Sequence, residues 1–237
     1  MANWNLIISH ILKFEGGTSA DPDDNALKLG HSGVKGSAIN PGTNKPYDAR
    51  HPNNFIHTNK GVIWATYKTY KQVKKQTPSA AEFLRMDRPL WEDIYKVLFW
   101  DKINGDLINS QAIAEAILSA FWGGGGKTLV IQLQRYLNNL GARLSITGTM
   151  NINTVNAVNT YLKTQRQLTD AINYLYKKRM EYLRSLDDWW KYGRGWTRRM
   201  NAELKRYYEF IKSSPAFSIT MLLPVIAFFF VYKLIKK

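Results

Sequence analysis

Residues 111–126 read QAIAEAILSAFWGGGG. The first twelve are strongly apolar with helical spacing, and the four glycines that follow are typical of a helix end. On both sides of this stretch, further helical patterns occupy residues 61–75, 79–87, 89–101, 128–140, 153–161, 168–185 and 198–211. We therefore expect a mainly α protein.

The front of the chain combines one more helix with an irregular region. Apolar residues recur at helical spacing in the first segment, at Trp4, Ile7, Ile8, Ile11 and Phe14. This spacing predicts an amphipathic helix that ends at Gly16 and Gly17, with Glu15 on its last turn. Residues 18–58 are rich in Gly, Asn, Asp, Pro and His and show no apolar period, which predicts a long loop or a small sheet lobe.

Composition limits the classes of function. The chain has 237 residues, of which 45% are hydrophobic, so it can bury a core and is not expected to be disordered. It has no cysteine, which excludes disulfides and thiolate metal sites. A formal net charge of +15 favours polyanionic partners such as an acidic cell-wall polymer, anionic lipid or nucleic acid.

The last part of the chain contains an uncharged segment. Residues 216–232, AFSITMLLPVIAFFFVY, carry no charge and precede three lysines. As a helix the segment would reach roughly 25 Å, so it predicts a C-terminal transmembrane helix and a membrane-anchored protein. Pro224 in its middle leaves a buried core helix or an interfacial hairpin as the alternative. Residues 1–9 lack a positive n-region, so we expect no secretory signal.

Glu15 is the candidate for acid catalysis. A glycosidase needs a carboxylic acid beside apolar groups that raise its pKa, and Glu15 follows Phe14 and precedes two glycines. The acidic run DPDD follows at residues 21–24. The alternatives are a solvated glutamate, and for DPDD a turn or a calcium loop. His31, His51 and His57 are expected to be exposed loop residues, because their spacing fits no zinc motif.

Five blocks in one order carry a family resemblance. They are ILKFEGG with DPDD, TNKGV, VLFWDKINGDLINSQAIAEAIL, LQRYLN with GTMNINTVNAV, and GRGWTRRM, and they span residues 11–200. This order resembles the N-acetylmuramidases of glycoside hydrolase family 108. The fourth block looks like the small helical peptidoglycan-binding module that accompanies their catalytic part.

The resemblance implies roles for particular residues. Glu15 matches the catalytic glutamate and would act as general acid, and Asp24 follows at the interval of a second acidic residue. Thr58 matches a threonine that holds the attacking water. Four further residues of the matching blocks are expected to contact substrate, namely Asp21, Asn59, Trp100 and Trp196, and Asp21 is alternatively structural. No metal and no organic cofactor is implied.

The resemblance also implies a division of the chain. Residues 1–108 would form a lysozyme-like catalytic region and residues 109–212 a helical peptidoglycan-binding-like region packed on it. The uncharged segment adds a predicted membrane anchor at residues 213–237. Two departures from the family's pattern stand out. Residues 25–57 form an insertion before Thr58, which could serve as a substrate flap or misplace Thr58, and Ser119 and Gly123 replace an Asp and an Asn.

The function predicted from these residues is hydrolysis of the β-1,4 bond between N-acetylmuramic acid and N-acetylglucosamine. The setting that fits best is a membrane-anchored phage or virion protein that opens the cell wall. One alternative is a lytic transglycosylase that uses a single glutamate. Another is a non-enzymatic, membrane-anchored virion protein that binds glycan or, less favoured, nucleic acid. In that reading, the aromatic and basic residues from Trp189 to Arg199 would bind the polymer.

Overall fold

The structure is a computed structural model that describes residues 1–11 and 55–213, together with four residue pairs at 18–19, 34–35, 39–40 and 45–46. The chain divides into two compact units. Asn3–Asp106 form the N-terminal unit, whereas Met1–Ala2 and the residues from Leu107 onward form the C-terminal unit. Assignment of catalysis to residues 1–108 and of peptidoglycan binding to residues 109–212 stays a prediction.

The N-terminal unit is built from short helices. Its α-helices are α1 (Trp4–Ile11), α2 (Trp64–Val73), α3 (Ala80–Leu84) and α4 (Arg88–Tyr95). A π-helical turn (Lys96–Trp100) and two 3-10 turns (Asp101–Ile103 and Gly105–Leu107) follow α4. Ser79 and Asp87 cap α3 and α4, because each side chain accepts a hydrogen bond from a backbone N–H of the first turn.

Aromatic residues dominate the core of this unit. Trp91, Tyr95 and Trp100 are fully buried. Trp4 of α1 lies with its ring centroid 5.7 Å from each of Tyr95 and Trp100. The predicted apolar face of α1 is confirmed as far as Ile11, since Ile7, Ile8 and Ile11 are buried, whereas Phe14 and the predicted helix end at Gly16 lie outside the described residues. Burial of these side chains fixes α1 within the unit, because each buried apolar side chain contributes about 1.5–3 kcal/mol.

Two-residue strands make up the sheet lobe. They are β1 (Thr18–Ser19), β2 (Val34–Lys35), β3 (Ile39–Asn40), β4 (Lys45–Pro46), β5 (Phe55–Ile56), β6 (Thr58–Asn59) and β7 (Val62–Ile63). β6 lies between β1 and β7 in one antiparallel sheet, whereas β2 pairs with β5 and β3 pairs with β4. The β3–β4 pair is therefore nested in sequence inside the β2–β5 pair, within the predicted insertion at residues 25–57.

The C-terminal unit is a helical bundle. Its helices are α5 (Gln111–Trp122), α6 (Gly126–Asn139), α7 (Ile152–Tyr161), α8 (Gln165–Arg184) and α9 (Trp189–Ser213). The strongly apolar α5 packs against α6, α8 and α9. The prediction of a helix at residues 111–122 is confirmed. Ser110 caps its start, and the helix ends at Gly123.

The prediction of a transmembrane helix, and with it a membrane-anchored localisation, is corrected. Among the described residues, none of the helices has both the length and the apolar character needed to cross a bilayer. The two longest, α8 and α9, are amphipathic and carry many charges, so each buries only one face. Residues 216–232, on which the prediction was placed, lie outside the described part of the chain.

Candidate active site

The TNKGV block folds as a tight hairpin. Thr58 pairs with Ile63 and Asn59 pairs with Val62, so the connection has only two residues. These are Lys60 and Gly61, with φ angles of 48° and 76°. Two consecutive positive φ values are typical of a type I′ turn, whose twist matches that of paired strands. A glycine at position 61 meets this requirement without strain, and the predicted helix start at residue 61 is wrong for this reason.

The hairpin is fastened to the helices behind it. The Asn59 Nδ2 atom donates hydrogen bonds to the Phe83 carbonyl oxygen (2.7 Å) and the Leu84 carbonyl oxygen (3.2 Å). The indole of Trp91 donates to the Lys60 carbonyl oxygen at 2.8 Å. Asn59 is 3% exposed, so its side chain holds β6 against the end of α3. We therefore propose a structural role for Asn59, and its contact with substrate stays a prediction.

Thr58 is the residue of this block whose side chain remains a candidate for contact with the reacting groups. Its side chain is half-buried, and its Oγ1 atom lies 2.6 Å from the His57 Nδ1 atom. His57 is fully buried, so the expectation that it is an exposed loop residue is wrong. The imidazole fixes the position of the Thr58 hydroxyl from the protein side. Sequence reasoning missed this role of His57, and its position directly before TNKGV is the signal that could have indicated it.

Strand β1, the other neighbour of β6 in this sheet, begins three positions after Glu15 in sequence. Thr18 pairs with Asn59, and Ser19 pairs with Thr58. Paired residues of antiparallel strands have Cα atoms roughly 4.5–5.5 Å apart. The insertion therefore leaves Thr58 beside the segment that follows Glu15 in sequence. Glu15, Asp21 and Asp24 themselves lie outside the described residues.

The acidic residues at positions 55–106 already have partners. The partner pairs are Glu82 with Lys71, Asp87 with the Leu90 N–H, Glu92 with Arg88, Asp93 with Lys74, Asp101 with Lys96, and Asp106 with Trp100. Burial alone would raise the pKa of Glu82, but hydrogen bonds from Lys71 and Tyr67 lower it overall. A carboxyl with a lowered pKa is a poor general acid. In this stretch of the chain, the acidic side chains thus serve structure.

The WDKINGD segment builds part of the core. Trp100 has no exposed surface, and its Nε1 atom donates to Asp106 Oδ1 at 2.8 Å. Gly105 lies against the same ring, and a Cβ atom there would collide with it. A buried ring offers no face to a sugar, so we propose that Trp100 is structural instead of a substrate contact.

The closing GRGWTRRM block lies in α9, which begins nine residues before the predicted helix at residues 198–211. Trp196 is half-buried and packs against a cluster of Met180, Leu183 and Met200. Its ring lies 6.1 Å from that of Trp189, measured between centroids. Most of this indole therefore serves the bundle, and its predicted contact with substrate stays a prediction.

The two residues that depart from the family's pattern have defined partners. The Ser119 hydroxyl lies 2.8 Å and 2.9 Å from the two carboxylate oxygens of the buried Glu203. The Gly123 carbonyl oxygen accepts a hydrogen bond from Arg179 at 2.9 Å. Both positions therefore stabilise the bundle around α5.

The LQRYLN and GTMNINTVNAV blocks are joined by one buried amide. Gln134 of α6 is fully buried, and the two N–H groups of its Nε2 atom are shared among the Thr147 hydroxyl, the Thr149 carbonyl and the Thr154 hydroxyl, each 3.0–3.1 Å away. Its Oε1 atom accepts from the backbone N–H groups of Thr147 and Gly148. Beside this junction lies an open polar groove of about 560 Å³, whose lining includes Arg143, Asn153, Asn156, Thr160 and Tyr161.

Comparisons with known proteins agree with the sequence blocks. Residues 8–125, about half of the chain, match the family model described as Glycosyl hydrolase 108. A solved structure, "Structure of Brucella abortus SagA", aligns with a TM-score of 0.61 and 22% identity over 89% of this chain and 97% of that chain, which indicates a shared fold. No curated protein sequence matches.

These matches do not support the predicted viral origin, the nucleic-acid partner or the membrane partner. The peptidoglycan-binding module is likewise not shown by them. A non-enzymatic role is overturned by the family match. The matched region includes the TNKGV hairpin and the whole of α5. The chain is a glycoside hydrolase that belongs to glycosyl hydrolase family 108.

Proposed function

We propose that this chain hydrolyses the β-1,4 bond between N-acetylmuramic acid and N-acetylglucosamine in peptidoglycan, with Glu15 as the general acid. The family assignment supports a glycoside hydrolase acting on peptidoglycan. The pairing of Ser19 with Thr58 is the structural observation that carries the proposal. It supports one site shared by Glu15, Asp24 and Thr58, because the backbone between the two acidic residues runs beside Thr58.

The chemistry follows from two needs of glycoside hydrolysis. Glu15 would protonate the bridging oxygen as the bond to the muramic acid breaks, which leaves an oxocarbenium-like carbon. That carbon is then met by water, or by the carboxylate of Asp24 before water completes the reaction. The Thr58 hydroxyl would hold the water, and the buried His57 would fix the direction of that hydroxyl.

We further propose that the groove beside Gln134 binds the same polymer. Its lining offers one guanidinium, three side-chain amides and several hydroxyls, which suit the hydroxyl, acetamido and carboxylate groups of a peptidoglycan strand. The Gln134 network supports this role because it holds the turn at residues 147–149 against α6.

The test is a turbidity assay on purified sacculi with the wild-type chain and the Glu15→Gln variant. The amide is isosteric but cannot donate an acidic proton, so we expect loss of clearing with an unchanged melting temperature. An Asp87→Asn variant is the control, because Asp87 only caps α4. Full clearing by Glu15→Gln would remove Glu15 from its proposed role.

A further inference from the structure

The first half of α9 presents an aromatic residue to solvent. Trp190 is 82% exposed, which is unusual for the largest apolar side chain. Its neighbour Trp189 is half-buried and belongs to the group packed on the Met180 cluster. Among the described residues, no ring contact and no side-chain hydrogen bond involves the Trp190 indole. Folding of the bundle therefore does not use this indole.

Two arginines lie on the same face of α9. Arg194 and Arg198 follow Trp190 by one and two helical turns, so the three side chains form a row roughly 12 Å long. Together with Thr197 and Asn201 they line a shallow depression of about 620 Å³. We call this surface the Trp190 face.

The charges of α9 separate into two groups. On the bundle side, Arg199 pairs with Glu203 at 2.9 Å and Arg206 pairs with Glu115 at 2.7 Å. Arg194 and Arg198, by contrast, are exposed and form no ion pair with the described residues. Residues 189–202 contain four basic and no acidic side chains. Asp187 and Asp188 precede this stretch and Glu203 pairs with Arg199, so the positive charge of the Trp190 face comes from two arginines that no carboxylate of the described residues pairs with.

We infer that the Trp190 face binds a peptidoglycan strand through its sugars and the acidic groups of its stem peptides. An exposed indole offers a flat apolar surface against which the C–H face of a pyranose ring packs. The guanidinium groups of Arg194 and Arg198 match carboxylates in planar, two-point hydrogen bonds. This inference rests on the proposed function, and adds a contact that would keep the enzyme on its polymer between cuts.

The side-chain amide of Asn201 fits the same partner. Its Oδ1 atom accepts a hydrogen bond from the Tyr176 hydroxyl at 2.6 Å. That bond orients the amide and leaves its Nδ2 group as a donor beside the two arginines. An acetamido carbonyl oxygen of an amino sugar is the complementary acceptor.

Binding is tested on the full chain in a Glu15→Gln background, so that the polymer stays intact. Co-sedimentation with purified sacculi compares Trp190→Ala and the double variant Arg194→Gln with Arg198→Gln. The control is Lys163→Gln with Arg166→Gln, which removes two exposed charges elsewhere in the C-terminal unit. We expect the Kd to rise about tenfold in both face variants, equivalent to roughly 1.4 kcal/mol each, and less than twofold in the control.

Further binding measurements, with modified sacculi and with other polyanions, identify the ligand. Sacculi with chemically amidated carboxyl groups should bind the parent about as weakly as the double arginine variant binds native sacculi. Phosphatidylglycerol vesicles and duplex DNA serve as competing polyanions. The inference is overturned if the face variants bind native sacculi like the control, or if they lose affinity only for vesicles or DNA.

The same experiment separates this inference from the proposed activity. Loss of sacculus binding in the face variants, together with no cutting by the wild-type enzyme, would overturn the proposed activity and support the inferred role of the Trp190 face. Normal cutting by the wild-type enzyme, together with unchanged sacculus binding in the face variants, would overturn only the inferred role of the Trp190 face. Melting temperatures within a degree of the parent confirm that the exposed substitutions leave the fold intact.

Discussion

Ser19 and Thr58 are direct partners across the antiparallel strands β1 and β6, although 39 positions separate them in sequence. The chain between them contains the nested β2–β5 and β3–β4 pairs. Because β1 and β6 are antiparallel partners, the residues at the two ends of this segment lie next to each other. An insertion of this kind therefore lengthens the lobe without displacing Thr58 from the strand that follows Glu15.

The Thr58 hydroxyl is expected to contribute to turnover and also to stability, because removing it takes a hydrogen-bond partner from the buried His57 at a cost of about 1–3 kcal/mol. Thr58→Val keeps the shape of the side chain but cannot hold a water, so we expect kcat to fall roughly 100-fold. Thr58→Ser keeps the hydroxyl and should retain most activity. The measurement is the rate of reducing-end release from peptidoglycan, with the melting temperature alongside. Equal rates for the Val and Ser variants would refute a role for this hydroxyl.

Gly105 should tolerate no side chain. A methyl group there would meet the buried Trp100 ring, so Gly105→Ala should destabilise the N-terminal unit by about 1–3 kcal/mol. The matched control is Gly195→Ala in α9, where no atom lies within 4 Å of the added methyl. That change should be neutral or stabilise by up to about 1 kcal/mol. Urea unfolding followed by tryptophan fluorescence gives both values, and similar losses would contradict the packing described here.

The buried pair of Glu115 and Arg206 predicts a pH-dependent effect. Burial raises the pKa of the Glu115 carboxyl, although hydrogen bonds from Arg206 and Gln111 oppose the rise. Arg206→Gln removes the main opposing group and leaves a buried carboxylate, so we expect a loss of about 3–5 kcal/mol at neutral pH.

The sign of the pH effect follows from proton binding. The folded protein holds the Glu115 proton more tightly than the unfolded chain, so stability falls as pH rises between the two pKa values. Without Arg206 the folded pKa rises further. The deficit of Arg206→Gln should therefore shrink in acid, where Glu115 is neutral in both proteins. Unfolding at several pH values tests this, with Arg166→Gln as the control, since its pair with Asp170 is exposed. A deficit independent of pH would contradict this assignment.

Sequence patterns predicted the helices that bury one continuous apolar face. Helix α5 was predicted with its observed bounds because an apolar run with helical spacing is followed directly by a glycine stop at Gly123. The start of α9 was missed because Gly193 and Gly195 interrupt the pattern. The structure continues the helix through both, and Gly193 lets the Trp189 ring pack closely against the backbone.

Only those features of the site that depend on neighbouring residues in sequence could be predicted. The role of Thr58 stays a prediction from its block, and the roles of its neighbours depend on distant partners. Asn59 bonds the end of α3 and Lys60 accepts from Trp91, contacts 24 to 31 positions away. No local pattern reveals such partners. Trp100 was expected at the substrate but lies in the core, where its ring packs near Trp4 from the far end of the unit's sequence.

The mass of the fragments released from purified sacculi in ¹⁸O-labelled water tests whether Glu15 drives hydrolysis. Hydrolysis with Glu15 as acid predicts one ¹⁸O atom at a new reducing N-acetylmuramic acid end, and no release by Glu15→Gln. Unlabelled anhydro ends would show transglycosylation instead, and label at N-acetylglucosamine would show cleavage of the other bond. Either result, or labelled fragments from Glu15→Gln, would contradict the account.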